Sequence, residues 1–181
     1  MTEAPNVLLS SWTTEWPVFA GLSQAKRRPV ELPEGPGVDY LGAGFRVLGG
    51  APGLRPNPEL EVLGWEPPPW LVRLYRVHGG LGPWWPGDTG PIDRWTRHAL
   101  LPWEAVTPLT RHIRFGEEDI CFDPADCVRI APDGRGGGLV LVGRADPRVH
   151  WFDGQRHHLS EPWSVERGLG WVVSGWILPE R

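Results

Sequence analysis

Cysteine is scarce in this chain, and its scarcity excludes two structural classes. Cys121 and Cys127 are the only cysteines among 181 residues. One pair six positions apart is not the framework of a small disulfide-rich protein, and a zinc site would need closer, repeated Cys or His pairs. We therefore expect both cysteines to be buried free thiols, which behave as small hydrophobic side chains.

The chain also lacks an excess of positive charge and a long apolar run. Its formal net charge is −4 and its pI is about 5.9, so no overall basic field attracts nucleic acid or an anionic membrane. Residues 1–11 contain Glu3 but no basic n-region, unlike a secretory signal. The longest uncharged stretch, 168–179, is shorter than the roughly 20 apolar residues of a membrane span. We expect a cytoplasmic protein with no membrane partner.

Motifs for catalysis, metal binding and cofactor binding are absent from the sequence. The glycine-rich run 134–138 matches neither common phosphate-binding pattern, and a strand pattern follows it rather than a helix. His157 and His158 are adjacent, so on a strand they would face opposite sides. No G-x-S-x-G motif occurs. We expect no catalytic residue, no metal and no cofactor, with an uncharacterised hydrolase as the alternative.

Glycine, proline and tryptophan are abundant instead. The chain has 24 Gly, 21 Pro and 12 Trp, and tryptophans spread along the whole length favour a compact, loop-rich domain over disorder. The prolines at 67–69 predict a helix start. That helix should bury Leu71, Leu74 and Tyr75, place His78 in its last turn, and end at Gly79-Gly80.

The rest of the chain predicts short strands and a closing helix. Short strands are expected at 38–41, 45–48, 127–130, 139–142, 149–152 and 155–159. We expect hairpin turns at 133–138 and at Asp153-Gly154, a further hairpin joining 112–115 to 119–122, and a solvated turn at 26–28. The last helix should begin after Ser160 and bury the stripe Leu169, Val172, Val173, Trp176 and Ile177. The predicted fold class is α+β, a single domain with a mostly antiparallel sheet packed against a few helices.

The order of these pieces resembles the SUKH superfamily. The matching segments are Glu61-Val62-Leu63-Gly64-Trp65-Glu66-Pro67-Pro68 with Leu71, Leu74, Tyr75, His78, Gly79 and Gly80, then Leu101-Pro102, Ile130-Ala131-Pro132-Asp133-Gly134-Arg135-Gly136-Gly137, Val149-His150-Trp151 and the helix 163–177. The resemblance implies a SUKH-like domain at 59–181, preceded by a loop-rich N-terminal extension at 1–58. Family members are α+β domains, many of them immunity proteins that neutralise toxins such as nucleases, and others regulatory scaffolds. The resemblance therefore implies a non-enzymatic protein-binding function.

Two segments are the predicted partner-binding surface. The loop 81–98 carries aromatic residues inside a charged rim, and an acidic stretch begins at residue 117. The expected binding residues are Trp84, Trp85, Asp88, Asp93, Trp95, Glu117, Glu118 and Asp119. Carboxylates at 117–119 would favour a basic protein partner, such as a nuclease toxin. The alternative is a module for single-stranded nucleic acid that combines Trp84, Trp85 and Trp95 with Arg94, Arg97, Arg111 and Arg114.

Overall fold

The computed structural model describes residues 5–33, 35–83, 97–113 and 120–176. In these residues the chain forms five α-helices and two antiparallel sheets, which confirms the predicted α+β class. The helices are α1 (Pro5–Glu15), α2 (Ala20–Gln24), α3 (Pro58–Val62), α4 (Pro69–Tyr75) and α5 (Val165–Ser174). The strands are β1 (Lys26–Leu32), β2 (Gly35–Gly42), β3 (Phe45–Gly49), β4 (Leu81–Pro83), β5 (Thr107–Pro108), β6 (Cys127–Pro132), β7 (Gly138–Val142), β8 (Arg148–Asp153) and β9 (His158–Leu159).

The first sheet has the strand order β1-β2-β3-β4. Strands β2 and β3 lie where the sequence predicted them. The predicted solvated turn at 26–28 is wrong, because these residues begin β1, whose Lys26 pairs with Leu41 of β2. Strand β1 is an edge strand with mostly exposed side chains. Its basic residues and Pro29 are typical of an edge that resists pairing with other chains.

The second sheet has the order β5-β6-β7-β8-β9, and its strand β7 is covered on both faces. Leu139 and Leu141 join the main hydrophobic core, whereas Val140 and Val142 join a smaller cluster on the opposite face. This alternation explains the continuous apolar run that predicted the strand. The main core contains residues from Leu9 to Trp176. The division of the chain at residue 58 stays a prediction.

The turn between β8 and β9 differs from the predicted two-residue turn. Asp153 pairs with His158, so the turn contains the four residues 154–157. The Asp153 Oδ1 atom accepts hydrogen bonds from the backbone N–H groups of Gln155 and Arg156, at 2.9 and 3.1 Å. The left-handed residue is His157, with φ 49°. The aspartate side chain therefore stabilises a wider turn than the Asp-Gly pattern predicted.

Helix α5 begins four residues later than predicted. The Ser164 hydroxyl accepts the Arg167 N–H at 3.1 Å and caps the helix. Ser160 instead extends the sheet contact, since its hydroxyl accepts the Trp151 N–H at 3.0 Å. Leu169, Val172 and Trp176 are buried as the stripe predicted. Val173 is only half-buried, and Ile177 lies outside the described residues.

The predicted hairpin joining 112–115 to 119–122 is wrong where the structure describes it. His112 and Ile113 form a turn and a bend, and 120–122 contain no strand. Ile113, Ile120 and Phe122 instead cover the outer face of the second sheet, in the smaller hydrophobic cluster. The expectation for the cysteines holds for Cys127, whose thiol has its pKa raised to about 12 by burial. It fails for Cys121, which is exposed.

His78 has a different role from the predicted one at a helix end. The predicted helix end at Gly79-Gly80 is wrong, because helix α4 ends at Tyr75. His78 follows the helix as a buried side chain with 4% exposure. Its Nδ1 lies 3.0 Å from the Gly50 carbonyl oxygen, and its Nε2 lies 2.6 Å from the Tyr40 hydroxyl. A carbonyl can only accept, so Nδ1 carries the proton and Nε2 accepts from Tyr40. Burial lowers the pKa of His78 to about 4 and raises that of Tyr40 to about 12.

The free energy of unfolding should therefore decrease as the pH falls from about 6.5 towards 4. The unfolded chain binds a proton on His78 in this range and the folded chain does not, which costs up to about 3 kcal/mol of stability. His112, with its pKa also lowered to about 4, contributes in the same direction. Denaturant unfolding at pH 7.5 and pH 5 measures the change. The variant His78→Gln should show a flatter pH dependence, and an equally steep one would contradict the assignment.

Candidate functional site

The tryptophans that the structure describes include a set of core residues and a group at the surface. Trp12, Trp16, Trp65, Trp103 and Trp176 are buried. Three half-buried tryptophans contact one another at the surface: the Trp151 ring centroid lies 4.8 Å from that of Trp171 and 6.1 Å from that of Trp163. Surface aromatic residues that gather in this way are typical of binding sites, because they concentrate apolar area at one place.

The packing of α5 on β8 brings these three rings together. Trp151 lies on β8. Trp163 is held beside that strand because its backbone N–H donates to the Val149 carbonyl at 2.7 Å. Trp171 lies on α5, outside the buried stripe of that helix. Gly168 allows the close approach, since a Cβ at this position would lie 3.0 Å from the Val149 side chain.

His98 fixes the neighbouring chain segment against the end of α5. Its ring stacks on Trp171 with centroids 4.1 Å apart, and its carbonyl oxygen accepts the Trp176 indole N–H at 3.0 Å. The backbone N–H of His98 donates to the Pro132 carbonyl at 2.7 Å. His98 adopts φ 44°, a left-handed conformation that a non-glycine residue keeps only where its surroundings impose it.

These elements line an open cavity of about 430 Å³, which we call the tryptophan pocket. Its lining residues are Arg97, His98, Asp133, Gly134, Arg135, Trp151 and Trp171. The turn between β6 and β7, which the sequence predicted, supplies three of them. Asp133 Oδ1 holds that turn by accepting the Arg135 and Gly137 N–H groups at 2.6 and 3.0 Å. The pocket therefore combines aromatic rings with two arginines, and one of these, Arg135, lies on this turn.

Several ring faces in this group are already covered by the protein. His98 stacks on Trp171, and the Arg167 guanidinium lies 4.1 Å from the ring centroid of Trp163. Arginine over an indole face is a cation–π contact. Because binding of single-stranded nucleic acid depends on bases stacking on exposed ring faces, this arrangement favours contacts to ring edges instead.

The predicted partner-binding residues cannot be compared with this pocket. Trp84, Trp85, Asp88, Asp93, Trp95, Glu117, Glu118 and Asp119 all lie outside the described residues, so their role stays a prediction. Of the four arginines in the nucleic-acid alternative, Arg97 lines the pocket, whereas Arg111 forms an ion pair with Glu59 at 2.9 Å. Arg94 and Arg114 lie outside the described residues as well.

Sequence reasoning missed Trp151, Trp163, Trp171 and Arg135 as site residues. Trp171 did carry a signal, because a tryptophan beside an otherwise regular buried stripe lies on the face of a helix that normally holds polar residues. The other three carried no signal of their own. Trp151 lies in an apolar strand and Arg135 in an ordinary turn pattern, so the tertiary packing alone shows what they share.

A second cavity, of about 240 Å³, lies on the outer face of the first sheet. Asp39 is buried there beneath Arg28 and Arg46, at 2.9 and 2.8 Å. The hydrogen bond from Arg46 lowers the pKa of Asp39, and Arg28 lowers it further. The two arginines are thus occupied by a structural ion pair, which makes this cavity a weaker candidate for ligand binding.

The part of the chain that the structure describes contains no group of three or more His, Cys, Asp or Glu side chains that could hold a metal ion. None of its helices is long and apolar enough to cross a membrane.

Comparison with known proteins gives no relative for this chain. No protein-family model, no curated protein and no solved structure matches it. The resemblance to the SUKH superfamily therefore stays a resemblance, and function has to be argued from the pocket.

Proposed function

We propose that this chain is a non-enzymatic protein-binding domain that holds its partner at the tryptophan pocket. The observation that carries the proposal is that two half-buried tryptophans, Trp151 and Trp171, line the same cavity as two arginines, Arg97 and Arg135. Tryptophan and arginine are the residues most enriched where protein interfaces concentrate their binding energy. A cavity of about 430 Å³ is large enough for one or two partner side chains.

A protein partner accounts for this pocket better than single-stranded nucleic acid does. Two of the surface rings have a face covered by His98 or Arg167, which leaves less room for stacked bases. The net charge of −4 also opposes a polyanion at long range. A base could stack on either of these two covered faces only if His98 or Arg167 moved away.

The SUKH resemblance supports two forms of this function, toxin neutralisation and regulatory scaffolding. We favour neutralisation of a toxin such as a nuclease, because the acidic residues 117–119 would attract a basic protein. The tryptophan pocket would then hold a different part of the same partner.

Selection of peptides from a displayed random library tests the proposal without knowledge of the partner. The wild-type protein should enrich peptides that bind at the pocket. Trp171→Ala should raise the dissociation constant of these peptides by about tenfold or more, because truncation of a central aromatic anchor typically costs more than about 1.4 kcal/mol. Arg135→Glu provides a second variant at an exposed turn, where the fold should be unaffected.

Thermal unfolding of both variants serves as the control for folding. Peptides that bind wild type and both folded variants equally well would show that the binding surface lies elsewhere. A library that yields no binder to the wild-type pocket would equally count against the proposal.

A further inference from the structure

We infer that the tryptophan pocket binds an acidic side chain that lies next to an apolar one in an extended partner segment. This inference rests on the proposed function and adds the chemistry of the ligand. It is independent of the basic partner surface that residues 117–119 would attract, because it concerns a different part of the chain.

The first support comes from the state of the two pocket arginines. Within the described residues, no hydrogen bond or ion pair joins the guanidinium group of Arg97 or Arg135 to the protein. Most of the other arginines in the described part of the chain are paired, as Arg28, Arg73 and Arg148 are with Asp39, Glu15 and Asp146. Two guanidinium groups that line the same cavity thus present donors that match a carboxylate.

The acidic residue of the pocket does not replace that carboxylate. Asp133 Oδ1 accepts two backbone N–H groups of its own turn, those of Arg135 and Gly137. This carboxylate is committed to the turn and forms no ion pair with either pocket arginine in the described part of the chain. Two positive charges and one negative charge therefore leave the pocket with a net attraction for an anion.

The aromatic rings add a second requirement for the ligand. The ring planes of Trp151 and Trp171 are tilted by 59° to each other, and their centroids lie 4.8 Å apart. The His98 ring stacked on Trp171 restricts access to that indole. The edge of an aromatic ring is electropositive and the ring body is apolar. A carboxylate beside the arginines and an apolar side chain against the indoles would satisfy both properties. A lone phosphate would use only the first.

The test uses synthetic peptides as probes. One blocked octapeptide has the sequence Gly-Ser-Leu-Glu-Leu-Glu-Gly-Ser, and its matched control carries Gln in place of both Glu residues. Binding is followed by NMR through the indole N–H signals, which Trp151→Phe and Trp171→Phe variants assign. The acidic peptide should shift the signals of Trp151 and Trp171 saturably, with an affinity at least about fivefold above that of the glutamine peptide.

Variants of the protein separate the pocket from general charge attraction. The double variant Arg97→Gln/Arg135→Gln should weaken binding of the acidic peptide by about tenfold. Arg76→Gln removes one charge from an exposed arginine that does not line the pocket, and it should leave the affinity unchanged. If Arg97→Gln/Arg135→Gln and Arg76→Gln weakened binding of the acidic peptide equally, the inference would be overturned.

Three further results would overturn the inference. These are equal binding of the glutamine peptide, no indole shift with either peptide, and saturable binding of an oligothymidylate of eight nucleotides at these rings in place of the peptide. If library selection still yields neutral peptides that depend on Trp171, the proposed function stands and only the acidic ligand is wrong. If selection fails as well, both proposals are wrong.

Discussion

Replacing Asn57 by aspartate should lower the free energy of unfolding by about 4 kcal/mol. The Asn57 side chain is only 4% exposed, and its Nδ2 donates to the carbonyl oxygens of Trp103 and Val106 at 2.8 and 2.9 Å. Its Oδ1 accepts the Leu60 N–H and caps α3. A carboxylate would keep the cap but would place a buried negative charge against two carbonyl oxygens. Denaturant unfolding at pH 7 measures the loss.

The exposed change Gln155→Glu is the matched control for Asn57→Asp, since it also converts an amide into a carboxylate. It should alter the free energy of unfolding by no more than about 0.5 kcal/mol. A loss below about 1 kcal/mol for Asn57→Asp would show that this buried contact between α3 and the turn at 103–106 stabilises the fold little.

Replacing Gly154 by valine should lower the free energy of unfolding by about 3 kcal/mol. The reason is not a left-handed conformation, which the two-residue turn would have required. A Cβ on Gly154 would lie 2.5 Å from the Gly136 carbonyl oxygen and 2.6 Å from the Gly137 nitrogen. These are backbone atoms of the adjacent turn, so neither chain segment can move aside at low cost. Denaturant unfolding of the purified variant measures the loss.

Gly170→Ala provides the contrasting control. Gly170 lies within α5, and a Cβ there would meet one methyl group of Val18 at 4.0 Å, an ordinary contact. Alanine should therefore stabilise the helix by about 1 kcal/mol. If both glycine variants changed the free energy of unfolding by the same amount and in the same direction, the close packing of the β8–β9 turn against the β6–β7 turn would be refuted.

The elements that the sequence predicted best are those with a clear pattern of buried side chains. The apolar run of β7 predicted a strand covered on both faces, and the stripe of α5 predicted its buried face. Strand β1 escaped prediction because its side chains are mostly exposed on both faces, so no alternation marks it. Helix α1 is rich in Ser and Thr, which are weak helix formers, and burial of Leu9 and Trp12 stabilises it.

The tryptophan pocket depends on tertiary packing that no local pattern encodes. Trp151 and Trp171 belong to different elements, and Arg97 and Arg135 come from two further segments. They meet because α5 packs across β8 and because His98 is held between Pro132 and Trp176. The sequence predicted the turn that carries Arg135, but not that this turn forms one wall of a pocket.

Site-specific photo-cross-linking in the producing cell tests the central claim, that a protein partner binds at the tryptophan pocket. A benzophenone amino acid is placed at position 174, where Ser174 is exposed on α5 three residues after Trp171, or at position 62, where Val62 is 88% exposed on α3. We predict one dominant protein adduct from position 174, which is lost with Trp171→Ala and absent from position 62. The same adducts from both positions, or an adduct from position 174 that persists with Trp171→Ala, would contradict the claim.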